Sequence, residues 1–204
     1  MKEAQSNSVK HLEHLYSIVV GIGLSLAIYN LIDISSDNIT FKFEFLPFFI
    51  AFLITLIPFY HGALRHLDIT YIENGGKNVR TGALFIDFLA LFIESCLLLA
   101  LAVLLPKPIF FAWGLVALLA FDTLWAFIAH LGFTQDIKPK AELRWAIINL
   151  VTVIILSIYL TICNFVPTIT YVSNPKLSAG IIGFSLLRTV VDYIFCWRIY
   201  YPSL

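Results

Sequence analysis

Nine ionisable residues stand within long apolar stretches of this sequence, where charged side chains are unusual. Placing such a side chain at the centre of a membrane helix costs about 2.5–3.5 kcal/mol on insertion scales, so it normally faces a protein interior or water. The set therefore predicts a polar site inside a membrane protein, one that lines a cavity or binds a ligand. Its members are His61, Arg65, His66, Asp87, Glu94, Asp122, His130, Arg188 and Asp192.

The helical spacing of these residues indicates that several of them converge. His61, Arg65 and Asp68 lie at positions i, i+4 and i+7, which form one stripe of a helix. Asp87 and Glu94 are seven residues apart and share one face of the following helix. We therefore predict that these side chains line one polar chamber inside a helix bundle, open to the cytoplasm.

Arg188 requires a partner because it lies near the centre of its apolar stretch, and a guanidinium stays charged in proteins. Asp192 follows it by four residues on the same helix face, and Asp122 is predicted at a similar depth on another helix. We predict that one of these two carboxylates neutralises Arg188. A purely structural alternative also fits, in which such pairs only select helix partners and the residues around His61 lie among lipid headgroups.

A metal or catalytic site is the other chemistry to consider. His61, His66 and His130 with Asp122 offer ligand types that zinc accepts. However, five residues separate the first two histidines, which places them about 140° apart on a helix, so they do not point at one ion. Asp87 with Asp122 is the only acid pair suited to intramembrane hydrolysis. The sequence thus predicts no metal or cofactor and does not favour an enzyme.

Composition and apolar pattern define the fold class. The chain is 60% hydrophobic and only 13% charged, which is typical of a membrane protein. Apolar stretches of about 18–25 residues are long enough to cross a bilayer as helices. We predict an all-α polytopic membrane protein, a single domain over residues 1–204 with six helices in one bundle and a short polar tail at 1–14. The predicted spans are approximately 15–32, 45–66, 81–105, 109–131, 143–164 and 177–199.

The distribution of lysine and arginine predicts the orientation of the bundle. With six spans, nine of these residues fall on the side that holds both termini, and only three on the opposite side: Lys42, Lys107 and Lys176. Because basic residues favour the cytoplasmic side, both termini are predicted to be cytoplasmic, in a multi-pass protein of the cell membrane.

Small residues in the first span predict self-association. Ser17, Gly21 and Ser25 recur every four residues, a ridge that allows another helix to approach closely in lipid. We therefore predict a homo-oligomer in the lipid bilayer. The sequence contains no phosphate-binding loop and no basic domain, so nucleic acid is not an expected partner.

The function predicted from these features is that of a binding, sensing or pore-type component. Such a small membrane protein could work beside a soluble cytoplasmic partner protein, as the membrane arm of a prokaryotic stress or defence system. Two alternatives from other classes stay open: a proton-coupled transporter of small solutes, and an intramembrane enzyme or metal or haem protein.

Overall fold

Six long α-helices make up almost all of the structure, so the predicted all-α fold with six membrane helices is confirmed. The computed structural model describes residues 2–35, 38–73, 82–132, 141–165 and 175–201. All six helices are long and apolar enough to cross a membrane. They are α1 Lys2–Asn30, α2 Leu46–Leu67, α3 Ala83–Leu104, α4 Pro108–Gly132, α5 Ala141–Phe165 and α6 Pro175–Tyr200.

The first helix begins earlier than its apolar stretch. It starts at Lys2, whereas every other predicted boundary falls within two residues of an observed helix end. The polar segment is helical because Val9, Leu12 and Tyr16 recur three and four residues apart and are all buried, which gives this part of α1 an apolar face. The segment that precedes the apolar stretch thus packs on the bundle.

A short β-hairpin joins α1 to α2, and the apolar pattern did not predict it. Strands β1, Ile32–Ser35, and β2, Asn38–Phe41, pair antiparallel with Ile32 opposite Phe41. Lys42 forms an exposed ion pair with Asp33 at 3.5 Å. The hairpin thus lies at the opposite end of α2 from His61 and His66.

Helix α2 changes from α-helix to π-helix just after His66. It runs through Pro58 without a break, ends at Leu67 and continues as a π-helix over Asp68–Glu73. Segments of π-helix are rare and occur often at functional sites. Tyr71 lies in this π-helical segment, and its side chain is buried.

Helices that are not neighbours in sequence form two of the three closest packing pairs: α1 packs on α3 and α2 on α6, while α4 packs on α5. At Gly23 helix α1 lies against the backbone of α3, where a Cβ atom would be in ordinary van der Waals contact with the Leu99 Cα at 3.6 Å. The predicted ridge of α1 is divided, since Ser17 bonds to Tyr60 within the chain while Gly21 and Ser25 are exposed. An oligomer contact through those two residues stays a prediction.

Candidate functional site

His66 lies between two carboxylates in the interior of the bundle. Its ring is at the end of α2 and only 2% exposed. The Nε2 atom is 3.0 Å from Oδ2 of Asp87, in the first turns of α3, and the Nδ1 atom is 3.4 Å from Oε1 of Glu142, in the first turn of α5. The cytoplasm-proximal ends of three helices, by the predicted orientation, thus bring one imidazole and two acids together.

Asp87 is held in place by two further donors. The hydroxyl of Tyr71, on the π-helix, donates to Oδ2 at 2.6 Å, and the indole Nε1 of Trp125 donates to Oδ1 at 3.1 Å. The Trp125 ring also meets the His66 ring edge to face, with 4.9 Å between centroids. We call His66, Asp87, Glu142, Tyr71 and Trp125 the His66 site.

Arg188 reaches a carboxylate through an amide instead of directly. Its Nε donates to Oδ1 of Asn149 at 2.9 Å, and the Asn149 Nδ2 donates to Oδ2 of Asp122. No carboxylate in the described part of the chain lies within 4.0 Å of the guanidinium, whose Cζ stands 4.6 Å from the Phe59 ring centroid. Arg188 thus makes no direct ion pair with Asp122 or Asp192, and Asn149 joins it to Asp122 instead. Neutralisation of Arg188 by one of these carboxylates stays a prediction.

Two more buried carboxylates lie beside this relay. Glu94, at the middle of α3, accepts a hydrogen bond of 2.5 Å from the Tyr16 hydroxyl. Asp192 accepts one of 2.8 Å from Tyr200, and its Oδ1 has no hydrogen-bond partner among the described residues. We call the relay Arg188, Asn149 and Asp122, together with Glu94 and Asp192, the Arg188 network.

The space enclosed by these groups is small. Glu94, Asp122, Trp125, Arg188 and Tyr200 line a cavity of about 20 Å³. A volume of that size holds about one water molecule. The polar residues are thus a packed network in this conformation, and a solute larger than water needs the helices to move apart. Because Trp125 belongs to this lining and to the His66 site, the two groups of residues are adjacent.

Three predicted site residues lie outside the network. The His61 ring stacks on Tyr200 with 4.5 Å between centroids. Arg65 donates through Nε to the backbone oxygen of Ile199 at 3.0 Å and pairs with Glu73 at 2.7 Å. His130 is half-buried near the end of α4, and no described residue hydrogen bonds to its Nδ1.

The geometry also bears on metal binding. His61 contacts aromatic residues of α6, whereas His66 contacts α3, α4 and α5, which confirms that the two rings point in different directions. Among the residues that the structure describes, no three His, Cys, Asp or Glu side chains are grouped so that they could hold an ion.

Several participants were missed by sequence reasoning. Glu142 stands next to the start of an apolar stretch and reads as an interfacial residue, although it is buried in the structure. Asn149 is uncharged, so a search for ionisable residues passes over it, although an amide inside the apolar run AIINLVTV is a detectable signal. The hydrogen-bonding aromatic residues carried no signal that separates them from packing residues: Tyr16, Tyr71, Trp125, Trp145 and Tyr200.

Comparisons of this chain with models of protein families, with curated proteins and with solved structures find no match.

Proposed function

We propose that this protein binds protons inside its membrane bundle and works as a binding or sensing component, not as an enzyme. The observation that carries this proposal is the charge balance of the interior. Two basic side chains, Arg188 and His66, are buried in the described structure together with five carboxyl groups. These carboxyl groups belong to Asp87, Glu94, Asp122, Glu142 and Asp192.

The excess of acids requires positive charge from another source. Even with His66 protonated, three carboxylates would lack a compensating charge if all five were ionised. An uncompensated charge in a protein interior is very unfavourable, and such groups take up protons instead of remaining ionised. The cavity beside Glu94 and Asp122 is too small for a hydrated cation, which favours the proton.

Proton binding would give this bundle two states. With the protons bound, the network is neutral enough to stay packed; their loss leaves like charges close together and favours separation of α3, α4 and α6. A ligand shifts such an equilibrium only by its difference in affinity for the two states, and the proton differs strongly between them. A soluble cytoplasmic partner would detect this change by binding near the His66 site, where α2 ends and α5 begins. We also propose that both termini are cytoplasmic, that the protein resides in the cell membrane and that it forms a homo-oligomer.

A proton-coupled transporter is the second candidate, and the position of Glu94 favours it. This carboxyl group lies at the middle of α3, while the His66 site lies at the helix ends, so the polar residues extend from the helix ends to the middle of the bundle. A transporter would acidify or alkalinise the lumen of a proteoliposome when its solute is added, whereas a sensor would not.

The proposal is tested by infrared spectroscopy of the purified protein in phosphatidylcholine nanodiscs at neutral pH. A protonated carboxyl group has a C=O stretching band distinct from that of a carboxylate. We expect such a band in the wild type and a smaller one in Glu94→Gln or Asp122→Asn. The control Glu44→Gln removes an exposed carboxylate and should leave the band unchanged.

The result that overturns the proposal is a folded wild type with no protonated carboxyl band. If in addition sodium chloride, but not choline chloride, stabilised that protein, a metal cation would balance the charge in place of protons.

A further inference from the structure

A second cavity lies between α5 and α6, and it is quite different from the polar interior. Its volume is about 390 Å³, within the range of small-molecule sites. One wall is the stripe Ile147, Val151 and Ile155, spaced four residues apart on α5 and 45–50% exposed. Leu187 on α6 forms part of the other wall and is 61% exposed. This α5–α6 groove therefore opens sideways towards the lipid.

The charged residues of the groove are two arginines, with no acid among its lining residues. Arg144 is exposed and donates to the backbone oxygen of Phe195 at 2.6 Å. Arg188 is only 7% exposed, and its Nη1 has no hydrogen-bond partner in the described structure. Because Nε of Arg188 already bonds to Asn149, the same guanidinium borders the polar interior and the apolar groove. The groove is thus complementary to a negative charge.

The depth of the two arginines narrows the choice of anion. Phe195, at the level of Arg144, and Arg188 are seven residues apart on α6, which is about 10 Å along a helix. The phosphate of a phospholipid belongs in the headgroup region, outside the hydrocarbon core, and is too bulky and too strongly charged to descend that far. A carboxylate at the end of a single apolar chain is compact, and it matches the planar guanidinium.

We propose that the α5–α6 groove binds a single-chain amphiphile with a carboxylate, of the long-chain fatty acid class, and that the guanidinium of Arg188, which borders the groove and has a buried, unpartnered Nη1, donates to this carboxylate. The apolar chain lies against the Ile147, Val151 and Ile155 stripe. A charge-assisted hydrogen bond is strong in such surroundings because water is excluded.

The test uses a photoreactive diazirine derivative of palmitic acid and the full-length protein in phosphatidylcholine nanodiscs. After irradiation, mass spectrometry should locate the label on peptides of α5 and α6. Unlabelled palmitate should compete about tenfold better than hexadecanol, which has the same chain but no charge. In Arg188→Gln this preference for the acid should disappear.

A groove-filling variant covers the case in which Arg188→Gln does not fold. Leu187→Trp places a large side chain in the groove and leaves Arg188 in place, so it should reduce labelling about tenfold. The matched control is Ile194→Trp, on the same helix and 68% exposed, outside the groove lining. It should label like the wild type.

Three outcomes would overturn the proposal. Equal competition by palmitate and hexadecanol in the wild type would show that the acid group is not recognised. Stronger competition by phosphatidylglycerol, lost in Arg144→Gln, would identify a phospholipid site at the membrane surface. Intermolecular cross-links between α6 helices that Leu187→Trp abolishes would identify a second copy of the chain as the occupant.

Discussion

The His66 site and the Arg188 network each bury a basic side chain among acidic ones, but the contacts differ. At His66 both ring nitrogens face carboxylates directly, at 3.0 Å and 3.4 Å. Arg188 contacts an amide, and Asn149 relays its charge to Asp122. Direct contact gives strong attraction but little tolerance for loss of a partner, whereas a neutral relay spreads the cost over several weaker bonds.

The acidic residues of the two groups also differ in the number of hydrogen bonds that they accept. Three donors converge on Asp87. In the Arg188 network, Asp192 accepts one hydrogen bond, and its Oδ1 has no partner among the described residues. Buried atoms without a hydrogen-bond partner occur in both groups, at Nη1 of Arg188 and, in the His66 site, at Nδ1 of His66 and Oε2 of Glu142. A fully bonded polar group rigidifies an interior, and a partly bonded one is open to a proton, a water molecule or a ligand. Asp87 thus has the character of a structural anchor, and Asp192 that of a responsive group.

The largest loss of stability is expected from Asp87→Ala. The change leaves His66, Tyr71 and Trp125 without their common acceptor, and removal of one partner from a buried pair typically costs about 3–5 kcal/mol. The free energy of unfolding, measured by SDS titration in mixed micelles, should fall by that amount, and the folded yield should fall with it.

Asp33→Ala provides the matched control for Asp87→Ala. It removes the same side chain from an exposed ion pair with Lys42, so it should cost no more than about 1 kcal/mol. A loss at Asp87 as small as the loss at Asp33 would show that Asp87 is not an anchor.

The amino-acid sequence predicts the helices and the burial of their acidic residues, but not how those residues pair. Helix number and limits follow from the apolar pattern, because a bilayer fixes the length of each span. The burial of Asp87, Glu94 and Asp122 follows from the cost of charge in lipid. Their pairing does not, since the rotation of each helix depends on packing against its neighbours.

Asn149 and His61 illustrate what the sequence leaves open. Asn149 joins Arg188 to Asp122, but nothing in the sequence identifies the partners of an uncharged amide. His61 was predicted to line the chamber with Arg65, yet it stacks on Tyr200. Gly62 lies against the same tyrosine, and a Cβ atom there would be in ordinary van der Waals contact with the Tyr200 hydroxyl at 3.5 Å. Such a close approach depends on tertiary geometry alone.

An intermediate effect is expected in the Arg188 network. Asn149→Leu removes the acceptor of Arg188 and the donor of Asp122, and each buried group left without its bond costs about 1–3 kcal/mol. The double variant Arg188→Leu with Asn149→Leu should be more stable than the sum of the single losses predicts, with a coupling energy of about 0.5–3 kcal/mol.

The matched cycle combines Arg188→Leu with Asp192→Asn. Asp192 is no direct partner of the guanidinium, so its coupling to Arg188 should be smaller than that of Asn149. A larger coupling to Asp192, measured by the same SDS titration, would mean that the direct pair exists after all and that the relay does not carry the charge.

The smallest effect is expected at the edge of the bundle, where Glu73 of the π-helix pairs with Arg65. The two charges are 2.7 Å apart, but the Glu73 side chain is 50% exposed, so water and salt screen their attraction. Glu73→Gln should therefore lower the free energy of unfolding by no more than about 1 kcal/mol. Arg65→Gln should cost more, because it also removes the bond from Nε to the backbone oxygen of Ile199, which ties α2 to α6. The comparison requires SDS titrations of both variants at low and high sodium chloride. The loss in Glu73→Gln should vanish at high salt, while part of the loss in Arg65→Gln should persist. Equal losses in the two variants at high salt would show that the backbone contact adds nothing and that α2 is held to α6 by apolar packing alone.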